Sequence, residues 1–147
     1  NCYVSSGVIK LLVDEPLALR LKVLAQALNE IIDDFSPTVA AIEEVFMNKS
    51  AGSALKLGQA RGAAMVICAT RELEVFEYAT RQIKQAVVGT GGATKDQVQH
   101  MVTRLLRLPA TPGEDASDAL AAALCHISGE AVRRATGAQA FAMRRLK

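Results

Sequence analysis

Four consecutive apolar residues, Val39-Ala-Ala-Ile42, stand between two long stretches of helical periodicity, and a second β-prone run, Val75–Tyr78, repeats the arrangement. Strands alternating with helices argue for an α/β fold with a largely parallel sheet. Upstream, Leu17, Leu21, Leu24, Leu28, Ile31 and Phe35 recur at spacings of four and three, so a helix is expected there. Pro16 suits its first turn, and Ser36-Pro37 ends it. The pattern then predicts a strand from Thr38 to Phe46, a loop from Met47 to Gly52 and a helix from Ser53 to Arg71. After the strand at Val75–Tyr78, a helix is expected over Arg81–Val88, broken by Gly89-Thr-Gly-Gly92. Thr94 and Gln97 have capping-box spacing, and Val98, Met101, Val102, Leu105 and Leu108 supply the next apolar stripe. Pro109–Gly113 reads as a loop, Asp115–Ile127 as the last clear helix, and Cys2–Ile9 as a further strand.

With 147 residues and 50% of them hydrophobic, the chain can bury one core, and with aromatics at 4% that core is aliphatic. Cys2, Cys68 and Cys125 are odd in number and lack C-x-x-C spacing, which argues against a disulfide framework and a zinc knuckle and favours a reducing cytoplasm. No apolar run approaches the ~20 residues that span a bilayer, so no membrane association is expected. The net charge of +2 hides an uneven distribution. From Ala79 to Pro109, Arg81, Lys84, Lys95, Arg104 and Arg107 face only Asp96, and Glu130–Lys147 holds five basic residues against Glu130. Basic blocks beside carboxylates suit a metal-dependent nuclease, although charge alone favours a solvated helical face.

Glu43 falls at the carboxyl end of the first strand, where open α/β sheets place their ligand crevices. A carboxylate there is costly unless it is paired, solvated or bound to a cation. Asp115 and Asp118, three apart, share one side of a helix; they could ligate a hard cation or simply offset the helix dipole. Glu44 points to the opposite face of the strand. Phe46 could stack on an unpaired base or close the core, and residues alone favour the core. Gly89–Lys95 fails as a phosphate-binding loop, since Thr94 precedes Lys95 and Asp96 follows it. His100 and His126 lack ligand spacing, with His126 near enough to the acidic helix start to support it. Gly58 and Gly62 are compatible with packing inside the fold or with a dimer seam.

The blocks Ile42-Glu-Glu-Val-Phe46, Ser53-Ala-Leu-Lys-Leu-Gly-Gln-Ala-Arg-Gly62, Arg81–Gly89, Lys95-Asp-Gln-Val-Gln-His-Met101 and Asp115-Ala-Ser-Asp-Ala-Leu120 resemble the RuvC family of Holliday junction resolvases. The resemblance runs from about Tyr3 to about His126. It implies a ribonuclease-H-like mixed sheet flanked by helices, with residues 1–130 as the resolvase domain and 131–147 as a basic tail. It further implies Mg2+ dependence, with Mn2+ as a substitute, and paired symmetric nicks in four-way DNA junctions. The expected partners are a second copy in a homodimer and a branch-migration complex of the RuvA and RuvB type. By position, Glu43, Asp115 and Asp118 match three of four acidic catalytic and metal positions. Phe46 matches an aromatic that touches bases, and Arg81, Lys84 and Lys95 are the expected DNA contacts.

The family's first strand carries an Asp-Pro-Gly motif, and no such motif occurs in these 147 residues. Asp14 cannot replace it, because it lies after the expected strand, in a segment that matches another part of the family. The chain thus resembles a resolvase without its opening strand and most of the next, and is expected to fold loosely and not to cut by itself. A junction-binding protein that no longer cuts is the alternative; a ribonuclease-H-like ATPase would need glycine-rich phosphate loops that are not found.

Overall fold

A computed structural model describes residues 2–12, 14–44 and 51–136, with the side chains of residues 51 and 133–136 left aside. The element order is α1 (Leu17–Phe35), β1 (Val39–Glu43), α2 (Ala51–Thr70), β2 (Glu74–Tyr78), α3 (Thr80–Val88), α4 (Lys95–Leu105) and α5 (Glu114–Thr136). β1 and β2 are neighbours in a two-stranded sheet. The Glu74 N–H donates to the Thr38 carbonyl before the strands, and the Glu44 N–H donates to the Tyr78 carbonyl at their far ends. Partners that advance together in this way make the pair parallel.

The segment expected as a strand, Cys2–Ile9, is not one. β-propensity alone does not make a ladder, because a strand needs a neighbour for its N–H and C=O groups, and none of the described residues pairs with it. Val4 and Val8 are exposed there. The other strand is shorter than expected, since β1 ends at Glu43, and Phe46 and the loop from Met47 lie outside the described residues up to Ala51.

The chain divides into two compact units, and both strands contribute residues to each. In the unit made of Ile9–Ala40 and Val45–Val75, α1 packs on α2. Ile32, Cys68 and Leu73 form its buried centre, with Ala40, Ile67 and Val75 against them. The inward line of α1 passes through Leu21, Leu24, Leu28 and Ile32, whereas Leu17, Ile31 and Phe35 are exposed although they share the sequence stripe. Arg71, just past α2, donates to Asn29 Oδ1 at 3.0 Å and pairs with Asp33. No helix among the described residues is long and apolar enough to cross a membrane.

The second unit comprises Asn1–Val8, Ala41–Glu44 and Phe76–Lys147. Here α3, α4 and α5 pack together around Ile83 and Val87, Val98 and Val102, and Ala121, Ala122, Leu124 and Cys125. Gly89 at φ 87° terminates α3 in the left-handed conformation that glycine adopts without steric cost. Thr94 and Gln97 form the complete capping box at the start of α4. α5 continues beyond Ile127 to Thr136.

Candidate metal and DNA-backbone site

The second unit gathers the acidic candidates. β1 delivers Glu43 at its last position, half-buried, while Glu44 is exposed. The Thr80 hydroxyl, on the first residue of α3, donates to Glu43 Oε1 at 2.5 Å. The backbone bond from Glu44 to Tyr78 holds the chain beside it. Glu43 is therefore anchored on both sides of its Cα, by its ladder and by its carboxylate.

α5 begins with Glu114 and Asp115, and its N-terminal peptide dipoles favour negative charge there. Ala116 and Ser117 turn inward, which leaves Asp115 exposed and Asp118 half-buried. Burial pushes the Asp118 carboxyl above its ordinary range, and the nearby charge of Glu43 pushes it further. Lys95 pulls the other way, while Glu114 and Asp115 add smaller repulsions. Lys95, at the start of α4, bonds to Glu114, and that hydrogen bond with the charge behind it raises the ammonium pKa; Asp118 and Asp115 contribute in the same direction.

Glu43, Asp115 and Lys95 all act electrostatically on Asp118. The three carboxylates offer oxygen donors, and repulsion between their charges is what a hard divalent cation relieves. No three Asp, Glu, His or Cys side chains among the described residues close into a metal cage. The set is open rather than encircling.

The remaining candidates are more dispersed. Arg81 is exposed on α3, its stem crossing Gly91 so closely that a Cβ there would stand 2.5 Å from Arg81 Cγ. That contact is a physical reason for glycine at this point of the loop. Lys84 lies one turn along α3 and is half-buried. His126 joins a small polar and aromatic group: its Nδ1 is 2.8 Å from the Tyr78 hydroxyl, and its ring lies 4.5 Å from that of Phe76. Thr80 and Glu114 escaped the sequence reading. Thr80 follows the second strand directly, and Glu114 adjoins Asp115, but neither position has a pattern that announces a partner tens of residues away.

The family model for crossover junction endodeoxyribonuclease RuvC matches residues 1–126. The chain is 56% identical over 147 residues to the crossover junction endodeoxyribonuclease RuvC of Edwardsiella ictaluri, covering 99% of this chain and 84% of that one. It is 58% identical over 132 residues to the protein of that name from Teredinibacter turnerae, covering 87% and 75%. Among solved structures, Thermus thermophilus RuvC in complex with Holliday junction substrate superimposes with a TM-score of 0.81 at 33% identity, covering 90% of this chain and 80% of that one.

Proposed function

This chain belongs to the RuvC family of crossover junction endodeoxyribonucleases, with its α/β, ribonuclease-H-like fold, and we propose from that premise that Glu43, Asp115 and Asp118 are its acidic metal-holding residues. The observation that carries the proposal is placement within one unit, with Glu43 ending β1, Asp115 and Asp118 opening α5, and Lys95 of α4 bonded to the neighbouring Glu114, an arrangement in which the charge of Glu43 helps raise the Asp118 pKa.

The family uses a divalent metal, and the hard carboxylate donors here fit Mg2+, with Mn2+ as a substitute. When bound, such a cation activates a water and stabilises the leaving oxygen of a phosphodiester. The chain's own residues then have distinct tasks. Glu43, fixed by Thr80, and the α5 pair set the position of negative charge. Lys95 meets the phosphate, exchanging Glu114 for a phosphate oxygen, and Arg81 and Lys84 hold the backbone. Phe46, outside the described residues, takes the base-stacking role.

The substrate is four-way junction DNA, as in the Thermus complex. A homodimer is supported by α2, where a Cβ added at Gly58 or Gly62 would meet nothing within 4 Å among the described residues and Leu55 and Val66 of the same face are exposed. A branch-migration complex of the RuvA and RuvB type is the further partner, and the two buried free thiols, Cys68 and Cys125, accord with a cytoplasmic setting. In this reading residues 1–130 are the resolvase domain and 131–147 its basic tail, of which residues 131–136 continue α5.

The second reading is a junction-binding protein that does not cut. Both readings require junction selectivity, which a gel-shift assay with a labelled four-way junction and linear-duplex competitor tests. Retention of the junction against excess duplex is expected. Equal competition by linear duplex would overturn four-way junction DNA as the substrate.

A further inference from the structure

The hydroxyl of Thr80 has an unusual destination. Threonine at a helix start commonly caps the helix by accepting from a backbone N–H. In α3 the N-cap is Ala79, which makes no side-chain cap bond, and Thr80 stands one residue further on as the first helical residue. Its Oγ1 instead donates to Glu43 Oε1 at 2.5 Å, across 37 residues of sequence. The two residues are also tied through the backbone, because the Glu44 N–H donates at 2.8 Å to the carbonyl of Tyr78, two residues before Thr80. Tyr78 itself is only 4% exposed and packed in the core.

We propose that Thr80 is a positioning residue for the cation site, its hydroxyl fixing the Glu43 carboxylate in the orientation that holds a divalent ion. The inference rests on the assignment of Glu43 as a metal-holding residue. A glutamate has three rotatable side-chain bonds, and a carboxylate half-exposed at a strand end samples several rotamers unless something selects one. A hydroxyl donor to one oxygen performs that selection without competing for the cation, since a donor binds the carboxylate and not the metal. Hydrogen bonds of this kind to metal-holding carboxylates tune affinity and orientation. The serine hydroxyl can make the same bond, whereas valine keeps the shape and lacks the donor.

The test is direct binding of Mn2+ to the chain, followed by water proton relaxation in the absence of DNA, for the unaltered protein, Thr80→Val, Thr80→Ser and Glu43→Gln. Thr80→Val is expected to weaken Mn2+ binding about threefold to tenfold, the size of one hydrogen bond to a charged group at an exposed site. Thr80→Ser should bind nearly as well as the unaltered chain, and the melting temperatures of the metal-free unaltered, Thr80→Val and Thr80→Ser proteins should agree. Thr80→Ala provides the same comparison should the valine variant fail to fold. Unchanged Mn2+ affinity in Thr80→Val, with binding lost in Glu43→Gln, would overturn the positioning role while leaving the site intact. Unchanged affinity in Glu43→Gln would overturn the site assignment and this inference with it.

Discussion

The Tyr78 hydroxyl and His126 Nδ1 lie 2.8 Å apart and join the last residue of β2 to the middle of α5. This bond fixes the axial position of the helix whose first turn carries Asp115 relative to the strand that pairs beside Glu43. Tyr78→Phe preserves the ring and removes only the hydroxyl, leaving a polar nitrogen of a half-buried histidine without this partner. The expected loss is about 1–3 kcal/mol, read by urea denaturation. Unchanged stability would mean that the hydrogen bond does not hold α5 in place.

Ser117 lies between the two aspartates, fully buried, and its Oγ has no hydrogen-bond partner among the described residues. A buried unsatisfied hydroxyl costs free energy that an alanine methyl does not. Ser117→Ala should leave stability equal or raise it by about 1 kcal/mol. A clear loss in thermal unfolding would show that the hydroxyl has a partner.

Asp118 makes a prediction in pH. Its folded-state pKa is raised by burial and by Glu43, so within the window between its ordinary and raised values the folded state holds more protons than the unfolded one. Stability from this group is therefore present below the ordinary carboxylate pKa and is lost as pH rises through the raised value. Asp118→Asn in chelator should raise the melting temperature at pH 7, and the gain should shrink as pH is lowered through that window. A gain that grows toward acid would contradict the sign.

Gly91 and Arg81 are coupled by contact, since any Cβ at position 91 displaces the Arg81 stem. Gly91→Ala should weaken junction binding at low salt and reduce the slope of log affinity against log salt by up to ~0.9, as the loss of one phosphate contact would. Arg81→Ala should do the same, and the double variant should lose little more than either single one. Additive losses would separate the loop from the arginine.

Legibility in the sequence followed punctuation. α1 spans the residues expected because Pro16 and Ser36-Pro37 mark its ends, and the capping box at Thr94 and Gln97 located α4. The strand at Cys2–Ile9 failed because pairing is a property of two segments, and propensity describes one. The exposed Ile31 and Phe35 show a related limit: 3.6-residue periodicity identifies an apolar stripe but not which edge of it meets α2. Glu43, Asp115 and Asp118 could be named from strand-end position, helix spacing and family resemblance. The effect of the Glu43 charge on Asp118, and the bond from Thr80 to Glu43, depend on a chain crossover that leaves no periodic trace.

Junction nicking tests the central claim most directly. The family's fourth acidic position has no counterpart in these 147 residues, so the assay uses the chain fused behind a strand bearing Asp-Pro-Gly, in matched versions with Glu43 and with Glu43→Gln, on a labelled four-way junction in Mg2+. The version with Glu43 is expected to make paired symmetric nicks that chelator abolishes, and the Glu43→Gln version to retain the junction in gel shift without cutting it. Equal metal-dependent nicking by both versions would contradict the placement of the metal site at the end of β1.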